Sequence, residues 1–371
     1  MTHHIVVLGA GYAGLAAAKG AARRLRRRAR RDDVRITLVN ADAGFVERVR
    51  LHQLAAGRRL QSLPLSGLLA GTGVELVVAR VTAVDAAARA VRLDSAPYDL
   101  GYDTLVYALG SAADTGAVPG AAAHATAVAT YRDAVRLRER AAHTRGSLVV
   151  VGAGLTGIET AAELAEAYPG RRVRLVTAGE FGAGLSERGA RYLRLALDRR
   201  GMALREHTRV AEVAAHGLIL ADGGEIPADV VVWAAGFRVP QLARAAGFAV
   251  DARGLLTVDA TLRSVSHPEV FAAGDAAAAH GPGGAATRMS CQTGLPMGAY
   301  AARSVAASLS GRTPDPLRLR YVWQNISLGR RDGLTQFTRA DDSPVPAVLT
   351  GRPSARFKET VTRGTVLALR R

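Results

Sequence analysis

Cysteine is nearly absent from this 371-residue chain, where Cys291 stands alone. One thiol excludes an internal disulfide framework, a CxxC redox pair and a cysteine-built metal centre, so any redox chemistry must rest on a bound cofactor. Lysine is almost as scarce. Lys19 and Lys358 are the only lysines among 49 basic residues, and the formal net charge is +17. Aromatic residues make up 5% of the chain and are not interleaved with the basic runs, which argues against a stacking platform for single-stranded nucleic acid. No nucleic-acid partner is expected. No apolar run approaches the roughly 18 residues that span a bilayer, and no signal-peptide pattern precedes the first strand, so a cytoplasmic protein is expected. The nine histidines lack ligand spacing with acids, and no metal is expected.

What the chain does have is glycine in two ordered loops. His4 to Gly14 reads HIVVLGAGYAG, an apolar strand running into Gly9-Ala10-Gly11-Tyr12-Ala13-Gly14 and then into the helix-favouring LAAAKGAARRL. Gly9 permits the tight bend, Gly11 lets backbone approach a pyrophosphate, and Gly14 lets the helix pack close. The helix N-terminus offers free N–H groups to the anion. A second loop follows at 148–159, where Leu148-Val149-Val150-Val151 enters Gly152-Ala153-Gly154-Leu155-Thr156-Gly157-Ile158-Glu159 and the helical TAAELAEAY. Two strand–turn–helix loops on one chain indicate an internal repeat and two bound dinucleotides. An α/β fold with two Rossmann-like units is therefore expected.

The strands that follow each loop end without the usual ribose-binding acid. The first, 34–40, ends in Asn40, with Asp42 the nearest carboxylate; the second, 172–177, ends in Thr177 with no arginine directly after it. Selectivity between NADH and NADPH therefore stays open at Thr177. Phe45 to Gly57 reads as a loop and short helix in which Arg48, Arg50, His52 and Gln53 are candidates to line a cofactor pocket. Gly110 stops a strand at another close backbone approach. Phe271-Ala272-Ala273-Gly274-Asp275 ends a strand in Gly-Asp, where Asp275 can bind a ribityl hydroxyl and backbone N–H groups can meet a phosphate. Arg288 to Ala302 reads as a helix entry with Gln292 near its start, and 311–371 as strands and turns. The basic stretch 22–33 falls where the first helix should end, a place where cations complement the helix and can touch acidic lipid. Peripheral contact with an anionic membrane therefore stays open, as does the oligomeric state. The tail from Ala355 is expected to pack on the protein's own core as a strand or a helix.

Taken together, GxGxxG at 9–14, ALG at 108–110, GxGxxGxE at 152–159, AAGF at 234–237 and FAAGDAA at 271–277 resemble the two-dinucleotide flavoproteins of the pyridine nucleotide-disulfide oxidoreductase superfamily. Within it the chain looks like the type II NADH dehydrogenases and the apoptosis-inducing-factor-like quinone reductases. The resemblance implies an FAD-binding domain in two parts, 1–112 and 239–308, an NAD(P)H-binding domain at 113–238, and a C-terminal interface segment at 309–371. It implies that Gly9, Gly11, Tyr12, Ala13, Gly14, Asn40, Arg48, Gly110, Gly274 and Asp275 hold FAD. Gly152, Gly154, Gly157, Thr177, Gly236 and Phe237 would hold NAD(P)H. Glu159 would lie close to nicotinamide and flavin, Gln292 would approach the pyrimidine edge of the flavin, and Lys358, the one lysine in the C-terminal segment, would stand near it. The activity implied is hydride transfer from a nicotinamide nucleotide to FAD and electron transfer to a quinone or other small-molecule acceptor. Reduction of a small redox protein, a tailoring oxidase and a slow redox sensor are the competing readings. Gln53 stands where the ferredoxin-reductase-like branch has a flavin-contacting lysine, so a lysine–glutamate pair with Glu159 is not expected from that position. Cys291 is expected as a small buried apolar residue.

Overall fold

Two parallel five-stranded sheets carry the fold, and each is built around one of the glycine loops. The computed structural model describes residues 2–26, 33–281 and 284–370. In the first sheet the strands run, edge to edge, Val270–Ala272, Thr104–Tyr107, His3–Leu8, Val34–Asn40 and Glu75–Val78. In the second they run Ala203–Arg205, Val173–Val176, Leu148–Val151, Val230–Trp233 and Ala125–Ala127. All pairings in both sheets are parallel. The central strands, Ile5 to Leu8 and Leu148 to Val151, are buried on both faces, which is why they read as unbroken apolar runs instead of alternating. Each leads through its glycine loop into a helix, Tyr12–Arg26 or Leu155–Ala167, and the chain returns to the neighbouring strand. These are two Rossmann-like βαβ units in an α/β protein. The first sheet gains its edge strand, Val270–Ala272, only after the chain has completed the second.

Small residues set how closely the helices of the first unit approach. The Tyr12–Arg26 helix lies against the helix Cys291–Ser308, and a Cβ on Gly298 would fall 2.0 Å from the Ala13 carbonyl oxygen. A Cβ on Gly20 would fall 2.8 Å from the Ala302 Cβ. The long helix starts at Ser290, whose hydroxyl accepts from the Thr293 N–H.

After it come three antiparallel strands, Trp323–Ser327, Gly333–Thr338 and Pro344–Thr350, and then a 20-residue helix, Gly351–Arg370. The strands agree with the sequence pattern, and the helix is one of the two forms, strand or helix, left open for the tail from Ala355. Its β-branched residues Val361, Thr362, Thr365 and Val366, together with Gly364, lower its local helix preference. Tertiary packing overrides that preference. Ser354, Lys358, Thr362, Val366 and Leu369 recur every three or four positions on one face; Ser354, Thr362 and Leu369 are buried, and Val366 packs against the main core. Lys19 closes the far end. Its buried ammonium donates to the Leu369 carbonyl and, at 2.7 Å, to the Leu68 carbonyl.

The first helix is basic in its last turn, with Arg23, Arg24 and Arg26, and residues 27–32 of the basic stretch lie outside the described residues. Among the described residues no helix is long and apolar enough to cross a membrane.

Gly298→Ala should lower stability by about 1–3 kcal/mol, because the added methyl meets backbone that cannot retreat without separating two helices. Gly44→Ala, with nothing within 4 Å of the new methyl, should stay within about 0.5 kcal/mol of the parent. Urea midpoints of the two variants measured side by side test this.

Candidate cofactor and redox site

The two glycine loops have the same local geometry. Gly9 has φ +90° and Gly152 φ +102°, values that favour glycine. A Cβ on Gly14 would stand 1.8 Å from the Gly9 carbonyl oxygen, and one on Gly157 would stand 1.8 Å from that of Gly152. The middle glycines differ from these, because a Cβ on Gly11 or Gly154 would meet nothing within 4 Å. Each loop is thus closed on its inner side and open at the helix N-terminus, the shape that lets backbone N–H groups reach a pyrophosphate. These two cradles fit two dinucleotides.

Their second strands are used differently. Asn40 Oδ1 accepts from the Ala10 N–H at 2.8 Å, and its amide donates to the Asp42 carbonyl at 2.7 Å, so the side chain clamps the first loop. Thr177 is fixed through its backbone, its N–H donating to Arg205 and its carbonyl accepting from Thr208, both at 2.9 Å.

Around the first loop, Gly274 has φ +75° and lies against Ala13, so the Gly-Asp turn abuts the start of the first helix. Asp275 accepts from the Ser111 hydroxyl at 2.6 Å and faces Arg48 Nη1 at 3.4 Å. Arg48 also borders Gly110 and stands 6.0 Å from the centre of the Phe237 ring. Phe237 is largely exposed and pairs with Ala113 in a two-stranded ribbon that begins just after Gly236. Arg48 therefore brings together the Phe45–Gly57 segment, the Gly-Asp turn and the end of the second unit. Tyr12 packs edge-on against Phe45 with ring centres 5.1 Å apart, and burial pushes its phenol up.

The second cluster is ionic and buried. Glu159, on the helix of the second loop, is 8% exposed. Its Oε1 accepts from the Lys358 ammonium and, at 2.9 Å, from the Ser327 N–H, while Oε2 lies 3.5 Å from His52 Nδ1. Burial alone would raise this carboxyl; Lys358, His52 and the Ser327 N–H outweigh it and hold Glu159 below the ordinary carboxylate range. Burial pushes His52 down to about 4, against the opposing pull of Glu159, so the imidazole is neutral at neutral pH. The lysine–glutamate pair not expected from Gln53 is present, supplied by Lys358 from the far end of the chain. Gln53 is itself buried, with its Oε1 3.4 Å from Arg50 Nη1.

Arg50 secures this arrangement. It makes a two-pronged contact with Glu359 at 2.9 Å for each prong and donates to Glu47 at 3.0 Å. Gln292, in the first turn of the long helix, accepts from Arg288 at 3.1 Å. Cys291 beside it is half-buried, with its thiol pushed up by burial and drawn down by Lys358. That coupling places the start of the long helix within the field of the Glu159–Lys358 pair. Sequence reasoning missed Ser111, Glu359 and the Ser327 N–H. Ser111 directly follows the Gly110 strand stop and was open to discovery there, whereas Arg50 and Glu359 are 309 positions apart and leave no local trace.

Residues 3–306 match the pyridine nucleotide-disulphide oxidoreductase family. The chain belongs to that family. Members use FAD and NAD(P)H, and these are the cofactors of this chain, an NAD(P)H-dependent flavoprotein oxidoreductase. An NADH dehydrogenase-like protein of Mycobacterium tuberculosis is 36% identical, with 96% of this chain and 92% of that protein covered. A type II NADH:quinone oxidoreductase of Staphylococcus haemolyticus is 26% identical over 96% of this chain and 93% of its own length. The crystal structure of the sulfide:quinone oxidoreductase of Aquifex aeolicus shares the fold, with a TM-score of 0.83 at 20% identity over all of this chain and 92% of that one.

His52 makes stability depend on pH. The unfolded chain takes up its proton near 6.5 and the folded chain only near 4, so unfolding binds a proton in this window and stability falls as pH drops through it. Between pH 7 and pH 5 this one group should remove about 2 kcal/mol. The urea midpoint should therefore drop over that interval in the parent and drop less in His52→Asn.

Proposed function

We propose that the protein is an NAD(P)H:quinone oxidoreductase that holds FAD at the Gly9–Gly14 loop and the nicotinamide nucleotide at the Gly152–Gly157 loop. The observation that carries this reading is the buried Glu159–Lys358 pair, held beside His52 and the helix that begins at Cys291. Held there, FAD would supply the two-electron chemistry that links the nicotinamide to an acceptor.

The chain's own residues do the rest. Asn40 holds the first loop shut on its inner side. Asp275, kept in place by Ser111 and Arg48, offers its free lone pairs to a ribityl hydroxyl. Gln292 lies in the first turn of the long helix, where the dipole favours negative charge on a ring placed against it. Lys358 offers a cation and a proton to an acceptor oxygen, a demand that a quinone makes when it gains electrons. Glu159 keeps Lys358 protonated and aimed, and the Arg50–Glu359 contact holds the helix that carries it. Support for the acceptor comes from full-length similarity to a type II NADH:quinone oxidoreductase. Thr177 brings neither an acid nor a cation to the ribose, so the donor is to be read from rates with NADH and NADPH.

Anaerobic rapid mixing of the yellow protein with each donor, followed by a water-soluble quinone, tests the proposal. The yellow absorbance should fall with the donor and return with the quinone. Lys358→Met should slow the return by roughly tenfold or more, about 1.4 kcal/mol in the barrier, with the fall nearly unchanged. Glu159→Gln should do the same, and the double variant little worse, because the pair acts as a unit. Colour that falls and never returns with quinone would move the acceptor elsewhere; a colourless protein would sink the reading.

A further inference from the structure

The helices Tyr12–Arg26 and Cys291–Ser308 start at the cofactor site, and their other ends border a cleft that has no part in it. From Tyr12 to Arg24 the first helix rises about 18 Å, at roughly 1.5 Å per residue. The cleft has a volume of about 620 Å³, and Arg24, Tyr300, Arg303, Arg312, Asp315 and Arg318 are among the residues that line it. That is the size of a small-molecule site. Its outer wall is tied at both ends: the Arg312 N–H donates to the Ala307 carbonyl at 3.0 Å and the Leu317 N–H to the Ala260 carbonyl at 2.7 Å. Between these ties Pro314 and Pro316 restrict the backbone on either side of Asp315.

The cations of the cleft are not spent on the protein. Among the described residues the side chains of Arg303, Arg312 and Arg318 make no ion pair and no hydrogen bond. Arg303 rests on the Tyr300 ring, with Cζ 5.1 Å from its centre, and Arg24 gives Nη1 to the Gly20 carbonyl at 3.1 Å. A cation near a helix C-terminus complements the dipole, but Arg312 and Arg318 lie beyond both helices, where that reason does not hold. Tyr300 supplies a second, independent signal. It is 4% exposed, and its hydroxyl has no hydrogen-bond partner among the described residues. Burial pushes the phenol up; Ser304, one turn on, and Arg303 oppose this, while Asp315 and Asp259 add to it. Asp259 is already occupied, its Oδ1 accepting from the Thr261 hydroxyl and from the Thr261 and Arg263 N–H groups. The phenol is thus a donor in want of an acceptor on a wall of guanidiniums.

We propose that this cleft is a binding site for a phosphate ester. Four arginines against one acid, Asp315, leave a positive excess that a ligand of single charge does not balance. A phosphate monoester carries close to two negative charges at neutral pH, and its oxygens take forked guanidinium contacts from several sides at once. One of them accepts from the Tyr300 hydroxyl. A carboxylate, with one charge and two oxygens, leaves most of these donors unmet. Arg303, Arg312 and Arg318 are exposed at the mouth of the cleft, so the organic part of the ester extends outward and is not selected by an apolar wall. The same chemistry is carried by soluble sugar phosphates and by the headgroup of an acidic phospholipid. The site stands apart from the redox centre and does not depend on which acceptor that centre serves.

Two probes test it on the yellow, FAD-loaded protein, at an ionic strength of about 0.15 M that screens loose surface charge. One is fructose 1,6-bisphosphate, followed by titration calorimetry; the other is a phosphatidylcholine vesicle containing phosphatidylglycerol, followed by co-flotation. At least one should bind. Arg303→Gln with Arg318→Gln should weaken that binding by roughly tenfold or more, and Tyr300→Phe by about two- to tenfold, the worth of one hydrogen bond. Arg188→Gln with Arg191→Gln removes the same charge from exposed positions on the helix Glu187–Asp198 of the second unit and should leave binding unchanged. Binding of the sugar bisphosphate assigns the cleft to soluble esters; binding of vesicles without it assigns the cleft to a lipid headgroup. Binding of neither probe overturns the proposal, and so does an equal loss in the two arginine pairs, which marks attraction by net charge alone. Tyr300→Phe keeps the ring beneath Arg303, so it decides the matter should the arginine variant not fold: an affinity it leaves unchanged overturns the site.

Discussion

The buried charge of Glu159 is the constraint that the rest of the site serves. Taking a carboxylate out of water costs several kcal/mol, and a single partner seldom recovers it. Here the compensation comes from three directions: the Lys358 ammonium, the Ser327 N–H and the edge of His52. Residues 52, 159, 327 and 358 belong to four separate stretches of chain, so the carboxylate is satisfied only when all four have docked. Both lysines of the chain work to this end. Lys358 meets Glu159 directly, and Lys19 holds the end of the same helix by donating to the Leu369 carbonyl. A compact ammonium with three donors suits a tight pocket and a pair of carbonyls, which the broad planar guanidinium of the abundant arginines does not.

The fold was legible because its signals are local. Each glycine loop states its own geometry within six residues, and the shared 1.8 Å closure of Gly14 on Gly9 and of Gly157 on Gly152 shows that the spacing, not the neighbouring residues, decides it. The site was legible only in part. Glu159 and Lys358 were each marked, Glu159 by its place after the second loop and Lys358 by being a lone lysine, but nothing in the chain announces that they meet. Gln53 pointed the other way, because a replacement can be seen at its own position while its compensation lies some 300 positions on. The terminal helix stayed undecided between strand and helix for a different reason. Its threonines, valines and glycine weigh against helix locally, and only the burial of one face overrides them.

The two loops also show how a repeated cradle is specialised by the strand beside it. At the first, Asn40 spends its carbonyl oxygen on the Ala10 N–H and its amide on Asp42, fixing the loop through a side chain. At the second, Thr177 is held by backbone alone, between Arg205 and Thr208. A side-chain clamp fixes one loop more tightly than a backbone seat with an uncommitted hydroxyl fixes the other, the difference the proposed seating of FAD at the first loop and the nicotinamide nucleotide at the second draws on. That contrast follows from the same turn geometry and a difference at one residue.

Charge also fixes how the pieces around the site stand to one another. Arg50 belongs to the segment after the first unit, Glu159 to the second, and Glu359 and Lys358 to the terminal helix. The two-pronged Arg50–Glu359 contact and the Lys358–Glu159 pair are neighbours along one helix, so the helix bridges both units through adjacent residues. Apolar contact would hold these pieces together but tolerate sliding, because it has no preferred direction. A forked guanidinium on a carboxylate and a buried ammonium on another carboxylate do not slide without leaving a charge unmet. The helix is thereby indexed to a single position, and with it the Lys358 ammonium.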